Sequence, residues 1–411
     1  MFQFGQEKED VQRVIQPLYY RAFACDSSRC GSLCCRENWH VVVDDDTLAR
    51  YQNAGRKLGE ELRRGVVRVG GTGIWAMRHQ KGVCTFLRAD GLCSLHRRFG
   101  SVALSDVCAE YPRKTHVFET QVFRGLCMTC PVAAETALLP KEPMRFEEVQ
   151  AELSRPKYYE KGDASPLGET TFFAVRRIAI ALLQERSASL NHRLAALGIL
   201  LSEVETRARK GGTASLEADG AAFAAAALRA VPALLEDAPF DAAQALQFFR
   251  QLIPYVTAAC EDTLPETREA IAHLTAAFGH GHAAEAFSDR LAKYREHVLA
   301  PYAYMLENYF VNAFYLERYP LMGGTSLILN YQVFVVLAKL TEFLVLADDR
   351  LMEEPAQAAD GSGIAPVQQA ILDAARWISI HTNHSTAFIH ALYAYMKEQQ
   401  VDISFFEMTL F

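Results

Sequence analysis

Cys25, Cys30, Cys34, Cys35, Cys84, Cys93, Cys108, Cys127 and Cys130 crowd into 106 residues near the start of a 411-residue chain, and only Cys260 lies beyond them. Scattered cysteines behave as small buried hydrophobes, but a cluster this dense reads as a set of ligands. Thiolates are soft donors, and groups of four suit tetrahedral zinc or an iron–sulfur cluster. Nine thiols can serve one cluster with spares or two four-ligand sites. The adjacent pair Cys34-Cys35 adds a condition: neighbouring side chains on an extended chain point opposite ways, so both can reach one centre only from a turn.

Other cofactor signatures are missing. A Cys-x3-Cys-x2-Cys triplet starting at Cys30 and Cys34 would need a cysteine at position 37, which is Glu37. Gly70-Gly71-Thr72-Gly73 follows a strand-like Val66-Val67-Arg68-Val69, but its spacing is wrong for a dinucleotide-binding loop, and it reads as a hairpin turn. His40, His96, His116, His280, His282, His381 and His384 lack nearby partners in sequence that would complete a ligand set, so they read as structural or surface residues. The aromatic run Tyr302, Tyr304, Tyr309, Phe310, Phe314, Tyr315 and Tyr319 reads first as a helix packing face, with a cation-binding pocket as the alternative. Asp44-Asp45-Asp46 reads as a helix start rather than a metal site. Arg97-Arg98 and Arg113-Lys114 read as solvated charges.

The elements that must position these groups differ between the two ends of the chain. Residues 1–140 carry 19 basic and 15 acidic residues; the remainder carries 23 and 34. Residues 1–140 read as an irregular cysteine-rich module. Val41-Val42-Val43 is a short strand, helices follow to about Asn53 and over Lys57–Arg64, and Asp90-Gly91 turns a hairpin that draws Cys84 towards Cys93. Cys108 sits on a short helix that Pro112 ends. Four prolines mark about 140–167 as a linker. Residues 141–411 then read as an all-α domain, with helices from about Phe172 to Leu183 and at about 189–209, 219–235, 240–259, 265–278, 283–315, 326–347, 366–382 and 384–398. The fold class is therefore mainly α.

Half the residues are hydrophobic and 22% are charged, an ordinary globular balance, and the net charge of −7 argues against a nucleic-acid binder. The acidic first ten residues lack the apolar core of a signal peptide. The apolar stretch 327–347 is interrupted by Asn330, Gln332, Lys339 and Glu342, which favours a buried core helix over a membrane span. A cytoplasmic, reducing location is expected, where clustered thiols bind metal more often than they form disulfides.

Five pieces of this sequence resemble the flagellin lysine-N-methylase family, FliB. They are Tyr20-Arg21-Ala22-Phe23-Ala24-Cys25, Cys30-Gly31-Ser32-Leu33-Cys34-Cys35-Arg36-Glu37-Asn38-Trp39, the two halves Cys84-Thr85-Phe86-Leu87 and Asp90-Gly91-Leu92-Cys93, Cys108-Ala109-Glu110-Tyr111-Pro112-Arg113, and Leu126-Cys127-Met128-Thr129-Cys130-Pro131-Val132-Ala133-Ala134-Glu135. The Cys-Cys and Cys-x2-Tyr-Pro-Arg elements are shared with a wider group of zinc- or iron-chelating domains. The helical remainder is similar more loosely, around Glu307-Asn308-Tyr309 and the final helices. The resemblance implies an enzyme that methylates surface lysines of flagellin from S-adenosylmethionine, with a [4Fe–4S] cluster associated with the transfer. Cys127 departs from the family pattern. The expected metal ligands are therefore Cys25, Cys30, Cys34, Cys35, Cys84, Cys93, Cys108 and Cys130. The competing class is a non-catalytic zinc- or iron-binding module that docks a protein partner.

Overall fold

A computed structural model describes residues 11–398 apart from positions 26, 37–40, 154, 156, 214–215, 238–239, 259–264, 279–282, 323–325 and 354–362. The acidic first ten residues, Glu37, His40, Cys260, Gly279, His280, His282, Gly323, Gly324 and the loop residues Asp360, Gly361 and Ser362 lie outside the described residues. The chain forms two compact units that interleave in sequence: Met1–Ala133 with Phe146–Gly162, and Ala134–Arg145 with Asp163–Phe411.

Among its described residues the first unit holds nine strands: β1 Val11–Pro17, β2 Val66–Arg68, β3 Trp75–Met77, β4 His79–Gln80, β5 Val83–Cys84, β6 Arg113–Val117, β7 Val122–Leu126, β8 Phe146–Glu152 and β9 Glu160–Lys161. Five form a mixed sheet in the order β8-β1-β7-β6-β9. β1 runs antiparallel to β8 over seven residues, from Val11 opposite Glu152 to Pro17 opposite Phe146, and parallel to β7. This sheet corrects the expectation of an irregular module. It also corrects the linker, because 140–167 contains β8 and β9. Glu148-Val149-Gln150-Ala151-Glu152 alternates polar with apolar side chains, and the four prolines fall outside that strand. Val14, Val122 and Leu153 form its small core.

A second small core gathers Val41, Val43, Tyr51, Leu62, Val66, Met77, Phe86, Leu95 and Leu104. The expected Val41–Val43 strand reduces to one bridge, Val42 opposite Ala76. β2 and β3 form the hairpin expected around Gly70–Gly73. Asp44 caps helix Asp45–Asn53 by accepting the Thr47 N–H at 2.7 Å, so the aspartate run is the helix start it was read to be. The next helix is Arg56–Arg64.

The second unit is helical. Its helices include Glu169–Leu183, Leu190–Arg209, Leu216–Asp237, Ala242–Ala258, Pro265–Phe278, Leu327–Ala347, Pro366–His384 and Thr386–Glu398. The long helix expected over 283–315 is two, Ala283–Tyr294 and Ala300–Leu316, joined by a π-helical turn at Arg295–Leu299. Pro301 lacks the N–H that would continue the ladder, and the register slips there. Leu216–Glu236 and Leu327–Ala347 are long and apolar enough to cross a membrane by length and composition. The second is 83% buried inside the chain, which suits the core helix expected. Tyr309, Phe310, Phe314, Tyr315 and Tyr319 are buried, so that part of the aromatic run is packing face.

Candidate functional site

Cys34 and Cys35 lie on a 3-10 turn, Leu33–Cys35. Gly31 and Ser32 precede it with φ of 59° and 62°, two consecutive left-handed residues that reverse the chain. The Ser32 hydroxyl donates to Gly91 O at 2.6 Å, which ties this turn to the loop between Cys84 and Cys93. Gly91 itself has φ +77°, and a Cβ there would sit 3.3 Å from Ser32 Oγ. The turn gives the adjacent pair a common side: Cys34 Sγ and Cys35 Sγ are 4.0 Å apart. Tetrahedral zinc with Zn–S of about 2.3 Å sets its sulfurs at roughly 3.8 Å, so this pair is spaced like two donors of one centre.

Cys84 ends β5, and Leu87 bridges Cys93 across the turn at Asp90-Gly91. Asp90 holds that turn by accepting Leu92 N–H at 3.2 Å and pairing with Arg97 at 2.8 Å. Arg97 is thus an ion-paired residue at the base of the hairpin, and Arg98 pairs with Glu61. Cys108 lies on helix Asp106–Glu110, whose N-cap Ser105 accepts the Cys108 N–H. Asp44 reaches this helix too, accepting Asp106 N–H at 2.9 Å. Cys84, Cys93 and Cys108 all pack at the rim of the second core.

Electrostatics group the thiols. The Cys35 thiol is pushed up by its hydrogen bond with Cys34, by burial and by Cys84 and Cys108, and the Cys108 thiol by burial and then by Cys84, Cys93 and Cys34. Cys130 feels Cys30 and Cys34. Burial pushes the Cys108 and Cys130 thiols up to about 12 and raises Cys84. Cys34 and Cys35 titrate as a pair: the hydrogen bond between them holds Cys34 down and Cys35 up. Cys127 is buried, accepts a hydrogen bond from Thr129 Oγ1 at 3.2 Å and gives its N–H to Pro112 O. Cys25 is exposed after helix Tyr19–Ala22. None of the nine forms a disulfide.

Among the described residues, no three or more His, Cys, Asp or Glu side chains meet at metal-holding distance. What is present is a donor set of the right chemistry, with Cys34, Cys84 and Cys108 in mutual electrostatic reach, Cys35 coupled to all three and Cys93 to Cys84 and Cys108. Protonated thiols have no reason to converge until a metal displaces their protons. The set fits a soft metal or cluster in the kind of donor it offers. Among the histidines, His79 stands opposite Cys84 in the β4–β5 pair. His116 is fully buried 3.3 Å from Glu160 and against Phe123, and His381 stacks on Trp377 at 4.0 Å.

Two further features escaped the sequence reading. Arg113, expected to be solvated, is half-buried over Phe23 and Tyr20. Glu307 is buried in the helical unit between two arginines: Arg193 Nη1 donates to Oε2 at 2.7 Å and Arg186 Nη2 to Oε1 at 2.8 Å. Asn308 beside it donates to Pro140 O at 2.8 Å, and Arg186 to Lys141 O. These residues hold the 138–141 segment against helix Ala300–Leu316.

A family model for the C-terminal domain of FliB lysine N-methylase matches residues 176–406. Lysine-N-methylase of Salmonella choleraesuis is 25% identical over 142 residues, 33% of this chain and 35% of that protein. Lysine-N-methylase of Salmonella typhimurium is 24% identical over 140 residues, with the same shares. The flagellar biosynthetic protein FliU of Salmonella muenchen is 24% identical over 140 residues, 33% of this chain and 82% of that protein. The match therefore spans about a third of the length of the lysine-N-methylases. No solved structure matches.

Proposed function

Because the chain belongs to the FliB lysine N-methylase family, we propose that it is a protein lysine N-methyltransferase acting on surface lysines of flagellin, with S-adenosylmethionine as donor. The observation that carries this reading is the family match over residues 176–406 in a chain that also holds a grouped set of thiols. The proposed setting is the reducing cytoplasm, where those thiols stay available.

The reaction is redox-neutral. The lysine nitrogen lone pair forms the N–C bond, the C–S bond of the sulfonium breaks, and its electron pair stays on sulfur. A substrate lysine is protonated in water, with a pKa near 10.4, so it must give up a proton first. Burial in an apolar pocket favours the neutral amine, and a carboxylate or phenol takes the proton.

Cys34, Cys35, Cys84, Cys93 and Cys108 are the proposed core of the ligand set, with Cys30 and Cys130 grouped around Cys34 and Cys25 completing the eight. Bound there, a [4Fe–4S] cluster would supply an iron able to chelate or exchange electrons, and zinc would supply a structural knot. The turn at Leu33–Cys35, the Asp90 loop and the capped helix Asp106–Glu110 orient the thiols that would receive either.

The test is mass spectrometry of flagellin after incubation with protein purified without oxygen and S-adenosylmethionine. Increments of about 14 Da, one methyl each, are expected. Unmodified flagellin after incubation with metal-replete protein would overturn the reading and leave the non-catalytic binding module in its place.

A further inference from the structure

Arg113 and Arg124 stand on adjacent antiparallel strands. Arg113 lies opposite Leu126 and Arg124 opposite Thr115, so the two guanidiniums leave the sheet on one face as diagonal neighbours, with Cα atoms about 7–8 Å apart. Aromatic rings brace both. Arg124 lies 4.5 Å from the centroid of Tyr20, and Arg113 lies 5.9 Å from Tyr20 and 5.2 Å from Phe23. Tyr20 is set by helix Tyr19–Ala22, which follows directly on β1. Arg124 Nε donates to Gln16 Oε1 at 2.9 Å, and Gln16 Nε2 in turn donates to Glu147 Oε1 at 2.7 Å, fixing that guanidinium from behind.

What this pair lacks is a bonded anion. Among the described residues, no carboxylate bonds either guanidinium. The Glu110 carboxylate is within electrostatic reach of both but accepts its hydrogen bond from the Tyr159 hydroxyl, at 3.5 Å. Two like charges held close, desolvated on one side by rings and bonded to no anion, raise the local potential. A carboxylate relieves it, because the guanidinium fork matches carboxylate geometry bidentately. The site also adjoins the thiol region: the Cys127 N–H donates at 2.8 Å to the carbonyl of Pro112, the residue before Arg113.

We infer that Arg113 and Arg124, braced on Tyr20 and Phe23, bind the α-carboxylate of the methyl donor. The inference rests on the methyl-transfer reading above, and it leaves that carboxylate to the guanidiniums rather than to an iron atom.

Calorimetric titration with two probes tests it. S-adenosylhomocysteine keeps the amino-acid end of the donor, and 5′-methylthioadenosine lacks it. Arg113→Gln and Arg124→Gln should each weaken S-adenosylhomocysteine about ten- to a hundredfold, the range for losing a charge-assisted hydrogen bond. Binding of 5′-methylthioadenosine should not change. Arg113→Lys, which keeps charge but loses the fork, should fall between. If Arg113→Gln does not fold, Arg124→Gln carries the same expectation, because it leaves the packing of Arg113 on Phe23 in place. Equal weakening of both probes, or of neither, overturns the assignment. So does inorganic phosphate that binds the wild type as tightly as S-adenosylhomocysteine and is lost in the same variants. Wild-type protein that binds neither adenosyl probe removes the methyl-transfer reading along with the inference.

Discussion

In the helical unit, deep charges such as Lys339 and Glu307 meet opposite charge; in the cysteine-bearing unit, Cys84, Cys93 and Cys108 sit at the rim of a small core beside one another. Lys339 shows the first pattern. Its ammonium is fully buried, 2.7 Å from Glu342 and 2.6 Å from Asn191 Oδ1, while Tyr294 donates to the other Glu342 oxygen at 2.8 Å. Burial pushes that ammonium down and the paired carboxylate works against it. Cys108 shows the second pattern. Burial raises its thiol, and the neighbouring thiols raise it further. A unit whose helices bury whole apolar faces can carry internal ion pairs. A unit with two small cores would gain from the proposed metal, which would exchange thiol protons for coordination.

The comparison breaks first on metal. Zinc added under reducing conditions should bind with an apparent free energy on the order of 10 kcal/mol, and more tightly as pH rises, because each captured thiol must release a proton. The sign follows from the thiols. A folded pKa raised above its ordinary value contributes stability that is complete below about 8.5 and lost as pH climbs towards the folded value. Alkaline pH should therefore weaken the metal-free unit while strengthening its hold on metal. Competition with a chromophoric chelator across neutral to mildly alkaline pH measures this, and an affinity independent of pH would break the contrast.

A smaller effect is expected in the helical unit. Glu307→Ala leaves Arg193, whose side chain is 5% exposed, charged and without its carboxylate. The loss should be about 3–5 kcal/mol of stability, the range for breaking a buried pair, read from urea unfolding. Metal binding to the thiols should survive under native conditions.

The smallest effect sharpens the picture of the thiol unit. Asp44→Ala removes the cap of helix Asp45–Asn53 and the acceptor for Asp106 N–H. Burial pushes the Asp44 carboxyl up, but the N–H groups of Asp106 and Thr47 outweigh it and hold it below the usual range. The variant should lose about 1–2 kcal/mol, and Cys108 should react faster with a thiol reagent because the helix that buries it is less firmly held.

Helical periodicity was legible along most of the second unit, because apolar side chains recurring every three to four residues need no knowledge of the partner. The break at Arg295–Leu299 was not, although Pro301 signalled it. The large sheet was missed for a different reason. β1, Val-Gln-Arg-Val-Ile-Gln-Pro, buries Val14, Gln16 and Pro17, with no clean alternation to read, and its partner β8 lies about 130 residues away. The cysteines were legible as a set because spacing on one chain suffices to suspect ligation. Their grouping was not, since it depends on the Ser32–Gly91 hydrogen bond and the Asp44 link to helix Asp106–Glu110, both between segments far apart in sequence. Arg113 reads as surface charge from its neighbours, and only the pairing of β6 with β7 sets it beside Arg124.

The return of β8 to β1 also constrains how this molecule can be divided or made. A fragment ending at residue 140 keeps all nine clustered thiols and loses the strand that covers β1, leaving a seven-residue edge open to pairing with another copy. On the ribosome the same strand arrives only after the stretch 134–145 that belongs to the helical unit has already emerged. The thiol unit is thus completed late, and a minimal version of it has to be assembled from two pieces of chain with a replacement linker rather than cut out with one.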